Sequence, residues 1–126
     1  SLFQYLENSF IWLDAHHKIA NFHLLFLLNL SRFLGFYPDI SEDEKFGFNL
    51  VEGNFSNETS QKNIISGAHF YQFKKLLGIN FDGIENVSFS KQERQVVLKT
   101  IIRYFELHLD GFKKPKSLQI LETVFS

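Results

Sequence analysis

The chain has 126 residues, a formal net charge of −1 and no cysteine. This length corresponds to one domain, which can bury roughly two-thirds of its unfolded surface. The near-zero charge excludes a globally basic surface, so contacts with nucleic acid or other anions depend on local patches. The lack of cysteine excludes disulfides, thiolate zinc sites and cysteine nucleophiles, and it fits a reducing compartment.

The first predicted element is a helix over residues 2–17. Its apolar residues recur at spacings of three and four, as on one face of a helix, and they are Leu2, Phe3, Leu6, Phe10 and Leu13. The chain starts with serine and is already in helical register there. We therefore interpret it as a fragment of a longer polypeptide.

The second predicted helix, residues 20–35, contains the most apolar stretch of the chain, "FHLLFLLNLSRFLGF". A membrane-spanning helix needs about 20 apolar residues, so this stretch predicts a buried core helix and no membrane span. Gly35 is expected to end the helix, and Pro38 follows it. No signal peptide precedes it, and we predict a cytoplasmic protein.

The helical period disappears between residues 41 and 59. Phe46, Phe48 and Leu50 alternate with other residues, Glu52 and Gly53 form a turn, and Phe55 follows. This pattern predicts a short β-hairpin with one face on the core. The polar stretch after it predicts a surface loop.

Helical patterns return at residues 67–77, from Ser90 onwards and from Ser117 onwards. Ser90 and Glu93 form a capping-box sequence, which marks the start of the second of these helices. The fold prediction is therefore mainly α: a compact bundle of about five helices with a short β-hairpin insertion. All of residues 1–126 are expected to form this single helical domain.

The sequence contains no pattern typical of an active site or a cofactor site. Asp14 and His17, or His16 and His23, have spacings that place two ligands near one another, but a third ligand is missing. Phosphate-binding glycine loops and the serine nucleophile elbow are also missing. We predict no metal, no cofactor and no enzymatic activity.

Basic residues are the remaining candidates for function. Lys113, Lys114 and Lys116 crowd into the joint before the last predicted helix. Such close like charges repel one another, and a bound anion relieves that repulsion, which suggests a phosphate or carboxylate partner. Lys74 and Lys75 are weaker candidates for the same role. Exposed lysines elsewhere, such as Lys91 and Lys99, are interpreted as solvated.

Three segments in this order resemble a known family. They are "FHLLFLLNLSRFLGFYPDI", "FNLVEGNF" and "RYFELHLDGFKKPKSLQILETVF". Together they are similar to the C-terminal helical portion of the RecO family of bacterial DNA repair proteins, in particular its members from Bacteroidetes. The resemblance covers about residues 19–125, nearly the whole chain.

The resemblance implies a recombination mediator that responds to DNA damage by binding. Family members carry an N-terminal OB-fold that binds DNA, and we expect it to be absent from residues 1–126. They anneal single strands and, with RecR, load RecA onto DNA coated by the single-stranded-DNA-binding protein SSB. The expected partners are therefore single- and double-stranded DNA, RecR and the acidic, phenylalanine-terminated C-terminal tail of SSB, which docks on the helical portion in some members.

Two departures from the family pattern concern the hairpin and the SSB contact. Many relatives have a four-cysteine zinc module where this chain has its hairpin, so we expect Phe46, Phe48 and Phe55 to hold the hairpin without metal. Some relatives have paired arginines where this chain has leucines. We therefore assign the SSB tail contact to the basic residues nearby, which are Lys18, His23 and Arg32.

The joint lysines match the family's basic loop before its last helix. We expect Lys113, Lys114 and Lys116, with Lys74 and Lys75, to face DNA phosphates or an acidic partner. An alternative is a helical protein–protein interaction module that does not bind nucleic acid, with exposed phenylalanines contacting the partner. An enzyme of unknown type is a third and weaker hypothesis.

Overall fold

Three helices and a three-stranded antiparallel sheet form the part of the chain that the structure describes, residues 19–58 and 61–109 of a computed structural model. The helices are α1 (Ile19–Leu34), α2 (Gly67–Lys74) and α3 (Lys91–His108). The strands are β1 (Gly47–Asn49), β2 (Asn54–Ser56) and β3 (Ile64–Ser66), and a short 3-10 helix spans Gly83–Asn86. Among these residues, the helices lack the combination of length and apolar character that a bilayer crossing requires.

The prediction of a mainly α bundle of about five helices with a hairpin insertion is wrong. The described residues form a mixed α/β fold, because a third strand, β3, pairs with β1 on the side opposite β2. Polar residues precede this strand, so the sequence pattern indicated a loop there. The helices predicted over residues 2–17 and from Ser117 lie outside the described residues.

Helix α1 is the centre of the core. Leu24, Leu25, Leu27 and Leu28 are all buried, as the nearly continuous apolar run predicted. The helix ends just before Gly35, whose φ of +92° is in the left-handed region that glycine adopts without strain. The backbone N–H of the next residue then donates to the Ser31 carbonyl, which closes the helix end.

The sheet is built around β1, which pairs on both sides. Phe48 lies opposite Phe55 of β2 and Ile65 of β3. The turn between β1 and β2 is fixed by Asn49, whose side-chain oxygen accepts hydrogen bonds from the next two backbone N–H groups beyond Leu50. The predicted hairpin is therefore present, and it is the first two strands of the sheet.

Aromatic packing attaches this sheet to the helices. The ring of Phe48 lies 5.1 Å from that of Phe73 and 5.9 Å from that of Tyr104, between centroids. Phe55 packs edge-on against Phe70 at 5.8 Å. Phe46 does not share this role: its side chain is 67% exposed, so the prediction that it helps to hold the hairpin is wrong. It precedes the paired part of β1, which begins at Gly47.

Helix α3 begins at Ser90, where the predicted capping box is confirmed. The Ser90 hydroxyl accepts a hydrogen bond from the Glu93 backbone N–H, and the Glu93 carboxylate accepts from the Ser90 N–H. The hydrogen bond from the Ser90 backbone N–H is the largest cause of the lowered pKa of Glu93, and the Ser90 side chain lowers it further. The same carboxylate accepts a bond of 2.6 Å from the Gln72 amide, which ties α2 to α3.

A second polar connection links the hairpin turn to the C-terminal half of α3. The Tyr104 hydroxyl donates to the Phe36 carbonyl at 2.5 Å, and burial raises the pKa of this tyrosine to about 12. One turn later, His108 Nε2 lies 2.7 Å from the Leu50 carbonyl oxygen, to which it donates. Gly53, in the turn, approaches Tyr104 so closely that an added Cβ would lie 2.9 Å from the hydroxyl.

Candidate partner-binding site

A cleft of about 260 Å³ opens beside the C-terminal end of α1. Its walls come from the last turns of that helix and from the chain that follows α2. The lining residues are Asn29, Arg32, Phe33, Ile79, Asn80 and Phe81. Since pockets for small molecules usually exceed about 300 Å³, this cleft fits one large side chain rather than a cofactor.

The helix supplies one wall through its periodicity. Asn29, Arg32 and Phe33 are at positions i, i+3 and i+4, which lie on the same face of a helix. The opposite wall is held in place by Gly78, whose φ of +76° turns the chain after α2. The Gly78 N–H donates to the Tyr37 hydroxyl at 3.0 Å, so residues 79–81 stay beside the end of α1.

Arg32 is the cation of this cleft. Its guanidinium carbon lies 4.2 Å from the centroid of the Tyr37 ring, within the range of a cation–π contact. The side chain is exposed, and no ion pair with a carboxylate of the described residues occupies it. Because stacking on Tyr37 orders the guanidinium without using its N–H donors, the group can still bind a carboxylate in bidentate geometry.

The cleft combines this cation with apolar surface. Phe33 is 39% exposed, and it forms the rim together with Ile79 and Phe81. Asn29 lies beneath, and its Oδ1 atom is buried without a hydrogen-bond partner in the described part of the chain. The arrangement suits an acidic segment that carries one apolar side chain into the cleft.

A catalytic or metal-binding arrangement is not seen within residues 19–58 and 61–109. No group of three His, Asp or Glu side chains converges there as metal ligands would. Among the groups with a shifted pKa, burial raises that of Tyr104, and hydrogen bonds at the helix cap lower that of Glu93.

The structure separates two of the three residues predicted to contact the SSB tail. His23 and Arg32 are nine residues apart on α1, which corresponds to about 13.5 Å along the axis and about two and a half turns. They consequently lie on opposite sides of the helix, where His23 packs against Phe22. Lys18 lies outside the described residues. Of His23 and Arg32, only Arg32 lines the cleft.

The predicted basic pair at the C-terminal end of α2, Lys74 and its C-cap residue Lys75, makes two different sets of contacts. Lys74 Nζ donates to the Asp43 carbonyl at 2.7 Å and lies over the rings of Phe55 and Phe70. Lys75 Nζ lies 5.5 Å from the Phe89 ring centroid, near Glu93. Both lysines thus have contacts within the chain. The joint residues Lys113, Lys114 and Lys116 lie outside the described residues, so their assignment stays a prediction.

Sequence reasoning missed most of the cleft. Phe33 and Asn29 belong to an apolar run that indicated only a core helix, and residues 79–81 fall between two predicted helices. A usable signal was present in the last turn of α1, where Arg32 and Phe33 follow a long run of buried residues. Their pairing with residues 79–81 depends on the turn at Gly78 and on Tyr37.

Comparisons with known proteins give consistent matches. The family model described as "Recombination protein O C terminal" matches residues 1–119. A protein named DNA repair protein RecO from Flavobacterium psychrophilum is 46% identical over 129 residues, which cover 100% of this chain and 52% of the relative. The RecO protein of Christiangramia forsetii is 44% identical over 124 residues, or 98% of this chain and 52% of the relative.

A third relative has a similar identity and coverage. The DNA repair protein RecO of Flavobacterium johnsoniae is 46% identical over 126 residues, which cover 99% of this chain and 52% of the relative. The chain therefore spans about half the length of the curated relatives it matches. No solved structure matches the chain significantly.

Proposed function

Because this chain belongs to the RecO family, over the part that the family model describes as C-terminal, we propose that it serves DNA repair and recombination as a binding module rather than as an enzyme. It acts in the cytoplasm with DNA, RecR and SSB, in strand annealing and in the loading of RecA. The surface that we assign is the cleft at the end of α1, which receives the acidic C-terminal tail of SSB.

The observation that supports this assignment is the position of Arg32 beside an apolar cleft of one side chain's size. A phenylalanine-terminated acidic tail offers two groups to such a site, an aromatic ring and a terminal carboxylate. The ring would displace water from the surface formed by Phe33, Ile79 and Phe81, while the guanidinium would pair with the carboxylate. A ring buried in this way contributes about 1.5–3 kcal/mol.

The test is a titration of the chain with a fluorescent peptide that carries the SSB tail of the same organism. Arg32→Gln removes the charge, and Lys91→Gln is the matched control, since Lys91 is an exposed lysine on α3, a different helix. We expect Arg32→Gln to weaken binding roughly tenfold or more, because hydrogen bonds to charged groups contribute about 1.5–3 kcal/mol. The control is expected to bind like the unmodified chain.

A second peptide separates charge from shape. Removing its terminal phenylalanine leaves the acidic residues in place, and the shortened peptide is expected to bind the unmodified chain more weakly, because no ring then fills the cleft. Equal binding of both peptides by the unmodified chain would contradict the assignment of this cleft.

A second candidate function is a protein-interaction module that does not contact nucleic acid. It is favoured by Phe46, which is 67% exposed while its backbone N–H is held by Asn57 at 2.9 Å. An exposed aromatic ring on an ordered backbone is typical of the anchors of protein interfaces. Loss of RecR binding on Phe46→Ser, in a chain that shows no binding to DNA, would support this alternative.

A further inference from the structure

We infer that a surface formed by Lys62, Lys99 and Arg103 binds the phosphate backbone of nucleic acid. We call these three residues the basic surface. It lies where the start of β3 meets the middle of α3, away from the residues that line the cleft beside α1. The inference rests on the DNA-binding part of the proposed function and names a surface for it.

Arg103 is the fixed centre of the basic surface. Its Nε donates to the Asn63 side-chain oxygen at 3.1 Å. Asn63 has a left-handed backbone (φ +69°), and its carbonyl accepts from the Leu50 N–H at 2.8 Å, so it is tied to the sheet. The guanidinium is thereby oriented through one N–H only, which leaves its two terminal amino groups for an anion.

The two lysines flank this centre. Lys99 is four residues before Arg103 on α3, a spacing that places both side chains on one face of the helix. Lys62 immediately precedes Asn63, the residue that holds the guanidinium. Both lysines are exposed. Lys99 and Arg103 therefore share one face of α3, and Lys62 is the chain neighbour of the asparagine that contacts this face.

The two lysines differ from most other cations of the described residues because their amino groups make no polar contact with those residues. Lys45 pairs with Glu42 at 2.7 Å. Lys74 is bound by a carbonyl and two rings, and Arg94 donates to the Phe89 carbonyl. By contrast, Lys62 and Lys99 make no hydrogen bond or ion pair with any residue in the described ranges.

The nearest carboxylates by sequence do not neutralise the basic surface. Glu58, four residues before Lys62, accepts from the Gln61 amide instead. Glu106, three residues after Arg103, forms no ion pair with it, as judged over residues 19–58 and 61–109. The three cations therefore exceed the two neighbouring carboxylates, and the excess positive charge faces solvent.

The surroundings favour phosphate over an acidic protein segment. The exposed residue beside Lys99 on α3 is Gln95, and Gln61 precedes Lys62. Protein interfaces need a buried apolar anchor at their centre, which the cleft at Arg32 has and these polar neighbours do not provide. Phosphate contacts need only cations and polar donors, and they carry no base preference.

The test compares salt dependence between variants of the 126-residue chain. Lys62→Gln combined with Lys99→Gln leaves the Arg103 contact with Asn63 intact, so the fold is retained. Lys45→Gln combined with Lys91→Gln removes the same charge elsewhere and is the control. The probes are a labelled single-stranded oligothymidylate and the SSB tail peptide, each titrated at several salt concentrations, and circular dichroism verifies folding.

We expect the first pair of substitutions to weaken oligothymidylate binding and to leave peptide binding unchanged. Each lost phosphate contact makes the negative slope of log K against log salt shallower by about 0.7 for single strands, so the slope becomes shallower by about 1.4. Arg103→Lys keeps the positive charge but loses the planar guanidinium that Asn63 orients. This variant is also expected to bind oligothymidylate more weakly than the unmodified chain.

Four outcomes would overturn the inference. Three of them concern the variants: an unchanged salt slope in the Lys62 and Lys99 variant, an equal loss in the control, and a loss of peptide binding instead of oligothymidylate binding. The fourth is undetectable binding of oligothymidylate by the unmodified chain. Since Arg32→Gln is measured on the peptide, failure of the cleft assignment is observed separately from failure of this one.

Discussion

The contact between Gly53 and Tyr104 predicts that Gly53→Ala will be unusually destabilising. Two costs add at this position. The φ of +73° is in the left-handed region, where an L-residue with a Cβ costs roughly 1–2 kcal/mol. The new Cβ would also lie 2.9 Å from the Tyr104 hydroxyl, a distance that forces one of the two groups to move.

The second cost follows from what that hydroxyl does. It donates to the Phe36 carbonyl at 2.5 Å, and displacing it leaves a partly buried carbonyl without its partner, which costs about 1–3 kcal/mol. The total for Gly53→Ala is therefore about 2–5 kcal/mol of unfolding free energy. Gly35→Ala is the matched control, because Gly35 has a φ of +92° but no atom within 4 Å of the added Cβ.

Urea unfolding followed by circular dichroism measures both variants by linear extrapolation. We expect Gly35→Ala to lose only the backbone cost. We also expect Gly53→Ala to lose about 1–2 kcal/mol, the backbone cost alone, when it is made in a Tyr104→Phe background, since the hydroxyl is then absent. Equal losses for Gly53→Ala and Gly35→Ala would refute the steric part of this reasoning.

The remaining predictions concern the core, the helix cap and one tyrosine. Phe48→Ala is expected to cost about 3–5 kcal/mol, since the side chain is fully buried, whereas Phe46→Ala is expected to stay within about 0.5 kcal/mol in the same urea assay. Ser90→Ala should cost about 0.5–2 kcal/mol through loss of the cap. The pKa of Glu93 is lower in the folded than in the unfolded protein, where it is 4.5, so ionised Glu93 stabilises the fold above pH 4.5. This stabilisation is lost as the pH falls through the folded-state pKa. In Glu93→Gln, the free energy of unfolding should therefore decrease less steeply as the pH falls below 4.5. Burial raises the pKa of Tyr104 to about 12, so its contribution to stability is complete below pH 10.0 and is lost as the pH rises through about 12. Ultraviolet titration of the four tyrosines should therefore show one late ionisation that is missing in Tyr104→Phe.

The elements with strong local signals were predictable from the sequence. The start of α3 at Ser90 follows from side-chain chemistry within four residues, and the hairpin follows from alternation around the turn at Gly53. Helix α2 shows the limit of such signals. It was predicted to reach residue 77 but ends at Lys74, after which Leu76 and Leu77 bond to carbonyls three residues back, as in a tighter turn.

Features that depend on pairing between distant residues were not predictable. Strand β3, Ile64–Ser66, does not alternate apolar and polar residues, and it is a strand because β1 supplies its partner. The cleft likewise needs Tyr37 to hold Gly78 across 41 positions of sequence. The role of Arg103 depends on Asn63, 40 positions away. Local periodicity does not encode such distances.

The placement of Phe48 bears on how the sheet opens. The ring of Phe48 packs on α2 and α3 as well as on β2. Separation of the strands would therefore expose the hydrophobic core that the three helices share. Fluctuations that release only the hairpin are then energetically close to global unfolding. Amide hydrogens of β1 should exchange with deuterium about as slowly as those in the middle of α1. Adding a chelator should leave these exchange rates unchanged, because aromatic packing holds the sheet.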